Sequence, residues 1–214
     1  MNIIGIKAFE VLYQERNDCM KICVYGAASD KIDAGFIREA EKLGAIMAER
    51  GHTLVFGGGD SGMMGGVARG VSNGGGKIIG VAPEFFNVDG ILFEKCDKLI
   101  RTETMRERKQ TMENEADAFI VTAGGIGTFE EFFEILTLKQ LGRHEKAIVI
   151  LNTNGYYDSM LTLLKDAADK NFLTQKCIEL YFVSTSPEEA VEYLEGYVPE
   201  KYNLLDVRSI KTEK

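Results

Sequence analysis

Thr53–Pro83 reads TLVFGGGDSGMMGGVARGVSNGGGKIIGVAP, and its order of residue types decides the fold class. TLVFGGG (Thr53–Gly59) is a short apolar run ending in glycines, as a buried strand running into a turn should be. A helix is expected to follow through Ala68, and KIIGVAP (Lys77–Pro83) is a second buried strand. Strand, helix, strand within some thirty residues is the unit that builds a parallel sheet. The same alternation runs outward in both directions.

Upstream, KICVYGAA (Lys21–Ala28) is a strand, and Phe36, Ile37, Ala40, Leu43, Gly44 and Met47 recur at helical spacing behind Asp33, a residue suited to N-capping. Downstream come a strand near Asp97–Arg101, a helix over Met105–Ala116 and the strand DAFIVTAGG (Asp117–Gly125). A helix over Thr128–Leu141 follows, then KAIVILN (Lys146–Asn152), a helix from about Tyr156, the strand LYFV (Leu180–Val183) and a helix from Pro187. This rhythm predicts an α/β fold, a doubly wound parallel sheet of Rossmann-like type in a single domain. It opens at Lys21, so residues 1–19 read as an N-terminal extension dispensable for folding, and 20–214 as the nucleotide-binding and catalytic domain.

The bulk properties exclude several classes of function. The 214 residues carry 25 Lys+Arg against 33 Asp+Glu, a formal net charge of −8. An acidic chain without a basic cluster argues against nucleic acid as a partner. No run of ~18 apolar residues is present, which argues against a membrane span. The charged first twenty residues do not resemble a signal peptide. The four cysteines are dispersed without a CxxC pair, the pattern of free thiols in a cytoplasmic protein. No cluster of His and Cys has metal-ligand spacing, so no structural metal is expected. His52 and His144 lack any accompanying nucleophile motif and read as surface histidines.

Glycine carries the functional signal. Eleven of the 23 glycines fall between Gly57 and Gly80, and a second knot is formed by Gly124, Gly125 and Gly127. Both knots lie between a strand and a helix, where ligands bind in open α/β sheets. Two helix N-termini there would offer unpaired N–H groups and positive dipole ends to a phosphate. Gly57–Gly62 also fits G-x-G-x-x-G, with Glu84 about 20 residues on, which keeps an NAD(P)-dependent oxidoreductase open. A P-loop fails, because Gly74-Gly75-Gly76-Lys77 is followed by Ile78 instead of Ser or Thr.

Two further segments hold candidate chemistry. Helical spacing puts Arg108 between Met105 and Met112, on the stripe that faces the protein, with Lys109 beside it. Such an arginine either finds an anionic partner inside or snorkels from the edge of the stripe. Thr128 and Glu131 have capping-box spacing, so Glu131 reads either as a cap or as a functional carboxylate.

These residues together resemble the LOG family, the cytokinin riboside 5′-monophosphate phosphoribohydrolases, some members of which were once labelled lysine decarboxylases. The family's P-G-G-x-G-T-x-x-E is matched by Ala123–Glu131, its M-H-x-R-K by Met105–Lys109, and its G-G-G-x-x-G-L-M-G by Gly57–Gly65. The chain departs from the family at Ala123, Arg106, Ala27 and Ala28. The resemblance implies hydrolysis of the N-glycosidic bond of a purine nucleoside 5′-monophosphate, AMP or one with an N6-modified adenine, with Arg108 and Glu131 catalytic and no cofactor or metal required. It places Lys109, Gly58, Gly59, Gly124, Gly125, Ile126, Gly127, Thr128, Phe129, Glu130 and Thr137 around the nucleotide. It implies a homodimer or larger assembly, for which the apolar residues spread around the helix Thr128–Leu141 also speak. A nucleotide-binding protein without catalysis is the other reading these motifs allow.

Overall fold

The computed structural model describes residues 19–86 and 90–201; the expected extension, Cys19 apart, lies outside the described residues. Seven strands form one sheet: β1 (Lys21–Tyr25), β2 (Thr53–Phe56), β3 (Lys77–Pro83), β4 (Lys98–Thr102), β5 (Ala118–Val121), β6 (Ala147–Leu151) and β7 (Phe182–Ser184). Their order is β4-β3-β2-β1-β5-β6-β7, and every neighbouring pair is parallel. The helices are α1 (Ala34–Glu49), α2 (Gly62–Asn73), α3 (Met105–Glu115), α4 (Ile126–Gln140), α5 (Asp158–Asp169), the short α6 (Gln175–Ile178) and α7 (Pro187–Gly196). The expected doubly wound α/β architecture is therefore present.

The central strands are apolar throughout because both faces are covered. Ile22 and Val24 point into one layer with α1, α2 and α7, and Cys23 and Tyr25 into the other with α3, α4 and α5. Between β1 and β5 the connections part, one leading to β2 on one side and the other entering from the far half of the sheet. The crevice at the carboxyl ends of these two strands is the topological switch point.

Helix α2 runs five residues beyond its expected end at Ala68. Glycine weakens an isolated helix, but here packing outweighs propensity. A Cβ at Gly44 would overlap the Val67 carbonyl, and one at Gly70 the Glu41 carbonyl. Gly70 of the first glycine knot thus lets two helix backbones touch. Replacing Gly70 by Ala is expected to cost about 3 kcal/mol in a denaturant titration, because the obstacle is backbone. Gly196→Ala, whose Cβ enters open space, should be nearly silent in the same measurement.

The surface reading of the histidines is corrected. His52 and His144 are 3% and 9% exposed. The His52 Nδ1 accepts from the Met20 amide at 3.3 Å, while its Nε2 faces Glu195 at 3.0 Å. The His144 Nε2 donates to the Ile135 carbonyl at 2.8 Å, and Nδ1 accepts from the Lys146 amide at 3.2 Å. Burial lowers the His144 pKa to about 4, so the ring is a neutral structural pin. The side chains lie inside because both ring nitrogens of each find partners there: backbone groups for His144, and a backbone amide with the Glu195 carboxylate for His52. Among the described residues, no helix is long and apolar enough to cross a membrane, and no three His, Cys, Asp or Glu side chains converge to hold a metal ion.

Candidate active site

The loop after β5 enters the switch point and becomes α4. The Thr122 amide and hydroxyl both donate to the Tyr25 carbonyl, at 2.8 and 2.9 Å. The Ala27 amide donates to Ala123 O at 3.0 Å. Helix α4 starts at Ile126 behind an extended Gly125 N-cap. The capping-box reading of Thr128 and Glu131 therefore fails: both lie inside the helix, which begins three residues earlier, after a loop tied to β1 and the segment following it. Thr128 is buried and packs back on Gly124, where a Cβ would overlap its hydroxyl. The amides of Ile126, Gly127 and Thr128 precede the first i−4 partner, so this N-terminus presents three donors.

The N-terminus of α2 is occupied by the protein itself, contrary to the expectation of two open phosphate sites. Gly62 N–H donates to Asp30 Oδ1 at 2.8 Å, and Met63 N–H and Met64 N–H donate to Ala27 O at 2.8 and 3.3 Å. The Gly62 amide holds the exposed Asp30 carboxyl below its ordinary pKa. A pyrophosphate seated as in a dinucleotide fold would have to displace these groups, so the Gly57–Gly62 match loses its physical basis. All three of these hydrogen bonds of Ala27 are made by its backbone atoms, which alanine supplies as well as any other residue would.

What the first knot does instead is seat an arginine. Helix α3 begins at an N-cap, Thr104, whose side chain accepts from the Glu107 amide at 3.1 Å, while Glu107 Oε2 accepts from Glu103 N–H at 2.8 Å. One turn in, Arg108 points inward and is 5% exposed. Its Nε donates to the Val81 carbonyl at 3.1 Å, and its guanidinium covers Gly57, where any Cβ would overlap Nη2. Nη1 lies 3.5 Å from Glu131 Oε1 on α4. Of the two readings of Arg108, the structure selects the inward one. Gly58, at φ +79°, accepts from Phe93 N–H at 2.9 Å, and Gly59 bridges to Leu92, so residues beyond Gly90 lie across this loop.

Glu131 keeps 13% of its side chain exposed. Burial pushes its pKa up from 4.5 to about 7; Glu130 and Glu134 push the same way, and Arg108 and Lys109 oppose them. Lys109 Nζ sits 2.8 Å from both Glu130 Oε1 and Glu134 Oε2. Burial disfavours its charge, but these two partners outweigh that and raise its pKa. The result is a nearly enclosed carboxylate facing a buried arginine, about one turn from three free amides.

The remaining expected residues fall into two groups. Gly124, Gly125, Ile126, Gly127 and Thr128 form the loop and helix start, and Glu130 lies on the rim with Lys109. Phe129 is half-buried and packs edge-on to Tyr157, which makes it part of the core beneath the loop. Thr137 is exposed, about 9 Å farther along the helix axis than Glu131. Reading the sequence missed Tyr156 and Tyr157, whose hydroxyls donate to the carbonyls of Gly124 and Thr122 at 2.5 and 2.7 Å. Their place just past the carboxyl end of β6 was the available signal.

A family model described as possible lysine decarboxylase matches residues 64–194. The chain is 36% identical over 179 residues to cytokinin riboside 5′-monophosphate phosphoribohydrolase LOG2 of Arabidopsis thaliana, covering 84% of each protein. The chain belongs to the LOG family. A rice member, cytokinin riboside 5′-monophosphate phosphoribohydrolase LOG of Oryza sativa subsp. japonica, is 36% identical over 187 residues, covering 87% of this chain and 77% of the relative. Among solved structures, a molybdenum cofactor binding protein from Rippkaea orientalis superposes with a TM-score of 0.64 at 20% identity, over 83% of this chain and 97% of that one. A Moco carrier protein from Chlamydomonas reinhardtii gives 0.63 at 23% identity, over 83% and 96%. At such identities the likeness concerns the fold alone. The LOG relatives, by contrast, are 36% identical over most of this chain.

Proposed function

We infer that this LOG-family protein hydrolyses the N-glycosidic bond of a purine nucleoside 5′-monophosphate, releasing free base and ribose 5-phosphate. AMP and AMP carrying an N6-modified adenine are the proposed substrates. The observation that carries the reading is the buried Glu131–Arg108 pair beside the open N-terminus of α4. Breaking the glycosidic bond builds positive charge on the ribose ring. A carboxylate in a low-dielectric site stabilises that charge more strongly than one in water. The same carboxylate can orient the attacking water and take its proton. Arg108, fixed by the Val81 carbonyl and the flat surface of Gly57, keeps the carboxylate aimed at the crevice. The α4 amides hold the 5′-phosphate.

The test is to incubate the protein with adenosine, AMP, an N6-alkylated AMP and the other nucleoside monophosphates, measuring free base and ribose 5-phosphate. No free base from any of them would leave a binding protein as the better account. Catalysis needs Glu131 ionised, so kcat/KM should rise through pH 7 and level off above it. At pH 5 it should lie about 100-fold below the plateau. A profile flat between pH 5 and 8 would contradict this.

A cytoplasmic homodimer completes the proposal. The dispersed thiols support the compartment. The monomer buries Phe132, Ile135 and Leu136, so most of the apolar surface of α4 is covered without a partner. Ile126 and Phe133, 83% and 39% exposed, are the α4 residues left for a second copy. Light scattering would measure the mass.

A further inference from the structure

Every carbonyl from Thr122 to Gly125 has an identified donor. Thr122 O accepts from the Tyr157 hydroxyl at 2.7 Å, and Ala123 O from the Ala27 amide at 3.0 Å. Gly124 O accepts from the Tyr156 hydroxyl at 2.5 Å, and Gly125 O from the Phe129 amide at 3.0 Å. The donors come from the segment after β6, the loop after β1 and α4 itself. With all four oxygens tied back, what this loop offers an anion is N–H.

That polarity is not secured by the local chain. The peptide joining Gly124 to Gly125 lies between two glycines, where the backbone has the widest choice of conformations. A rotation of that peptide would bring a carbonyl oxygen toward the place where the phosphate sits and take an N–H away. Tyr156 holds this one peptide. Its ring is itself held, edge-on to Phe36 of α1 at 5.9 Å and to Tyr157 at 5.0 Å. It therefore links the loop to both halves of the sheet.

We propose that Tyr156 is a positioning residue for the anion-binding loop: its hydroxyl fixes the Gly124–Gly125 peptide with N–H toward the 5′-phosphate. It acts through the loop, not on the reacting atoms. The inference rests on the phosphate site assigned to α4 above and names what keeps that site in shape. Tyr156 is 43% exposed, so in Tyr156→Phe water can solvate the freed Gly124 carbonyl without fixing its orientation, and the fold is little affected. Tyr157 is 1% exposed, and its removal would strand the Thr122 carbonyl in the core.

The experiment compares wild type and Y156F in calorimetric affinity for AMP, ribose 5-phosphate and adenosine, alongside Tm. Losing one hydrogen bond's worth of preorganisation should weaken AMP and ribose 5-phosphate about tenfold. Adenosine should stay within about twofold, and Tm within about 2 °C. In turnover the change should appear in KM for AMP, not in kcat. Y157F should weaken the phosphate ligands similarly while lowering Tm by several degrees. Equal losses for AMP and adenosine, or AMP affinity unchanged in Y156F, would overturn the proposal. A wild-type protein that binds AMP without releasing adenine would defeat the hydrolase reading alone, because the affinity comparison would still decide the role of Tyr156. A wild-type protein that does not distinguish AMP from adenosine would defeat both.

Discussion

Glu131→Gln is expected to lower base release about 10³-fold while making the protein more stable at pH 8. The two effects have one cause. The carboxylate is kept in a site that disfavours its charge, and the reaction uses that charge against the developing cation on the ribose. A single charged group of this kind contributes roughly 10²–10⁴ in rate. For stability, the native pKa of about 7 against 4.5 for the free side chain corresponds to ~3 kcal/mol against the ionised native form. The native state holds this proton more tightly than the unfolded state. Its penalty is therefore absent below pH 4.5, grows as pH rises, and is complete above pH 7. Glutamine, always neutral, escapes it. Thermal melts at pH 4 and pH 8 should show no gain at the first and a clear rise in Tm at the second. If Glu131→Gln keeps base release within a few-fold, the catalytic role of Glu131 is wrong.

A nucleoside 5′-monophosphate should be cleaved at least ~100-fold more efficiently than its nucleoside. The net charge of −8 works against any anion, so the preference must come from local donors. Only one of the two expected helix N-termini is open, and Lys109 is engaged by Glu130 and Glu134. The α4 amides remain. Hydrogen bonds to a charged group contribute ~1.5–3 kcal/mol each, so two of them exceed the ~2.7 kcal/mol that a 100-fold preference requires. Much of this should appear in kcat/KM, because the phosphate anchors the ribose against Glu131. Thr128→Val keeps the shape that packs on Gly124 but removes the hydroxyl, and should reduce the preference. Equal kcat/KM for AMP and adenosine would show that α4 does not hold the phosphate.

Features governed by short-range rules were legible along the chain. The apolar runs of β1, β3, β5 and β6 were legible because strands covered on both faces need them. Asp33 was legible as the cap of α1, and its side chain does accept from Gly35 N–H. The motifs placed Arg108 and Glu131 as candidates, since residue type and spacing are local properties. The tertiary structure alone decided which candidates meet and which sites are free. Asp30 closes the α2 N-terminus from 32 residues away, and Arg108 finds Glu131 across 23. Tyr156 reaches the Gly124 carbonyl across another 32. The start of α4 shifted for the same reason: a loop tied to β1 and to the segment after β6 sets where the helix begins, over a capping pattern that was locally sound. His52 and His144 were misread because their partners are backbone groups and a carboxylate brought up by the fold, which no spacing in the chain reveals. Periodicity reports the face a residue presents; which groups that face meets depends on a topology that joins distant segments at one end of a sheet.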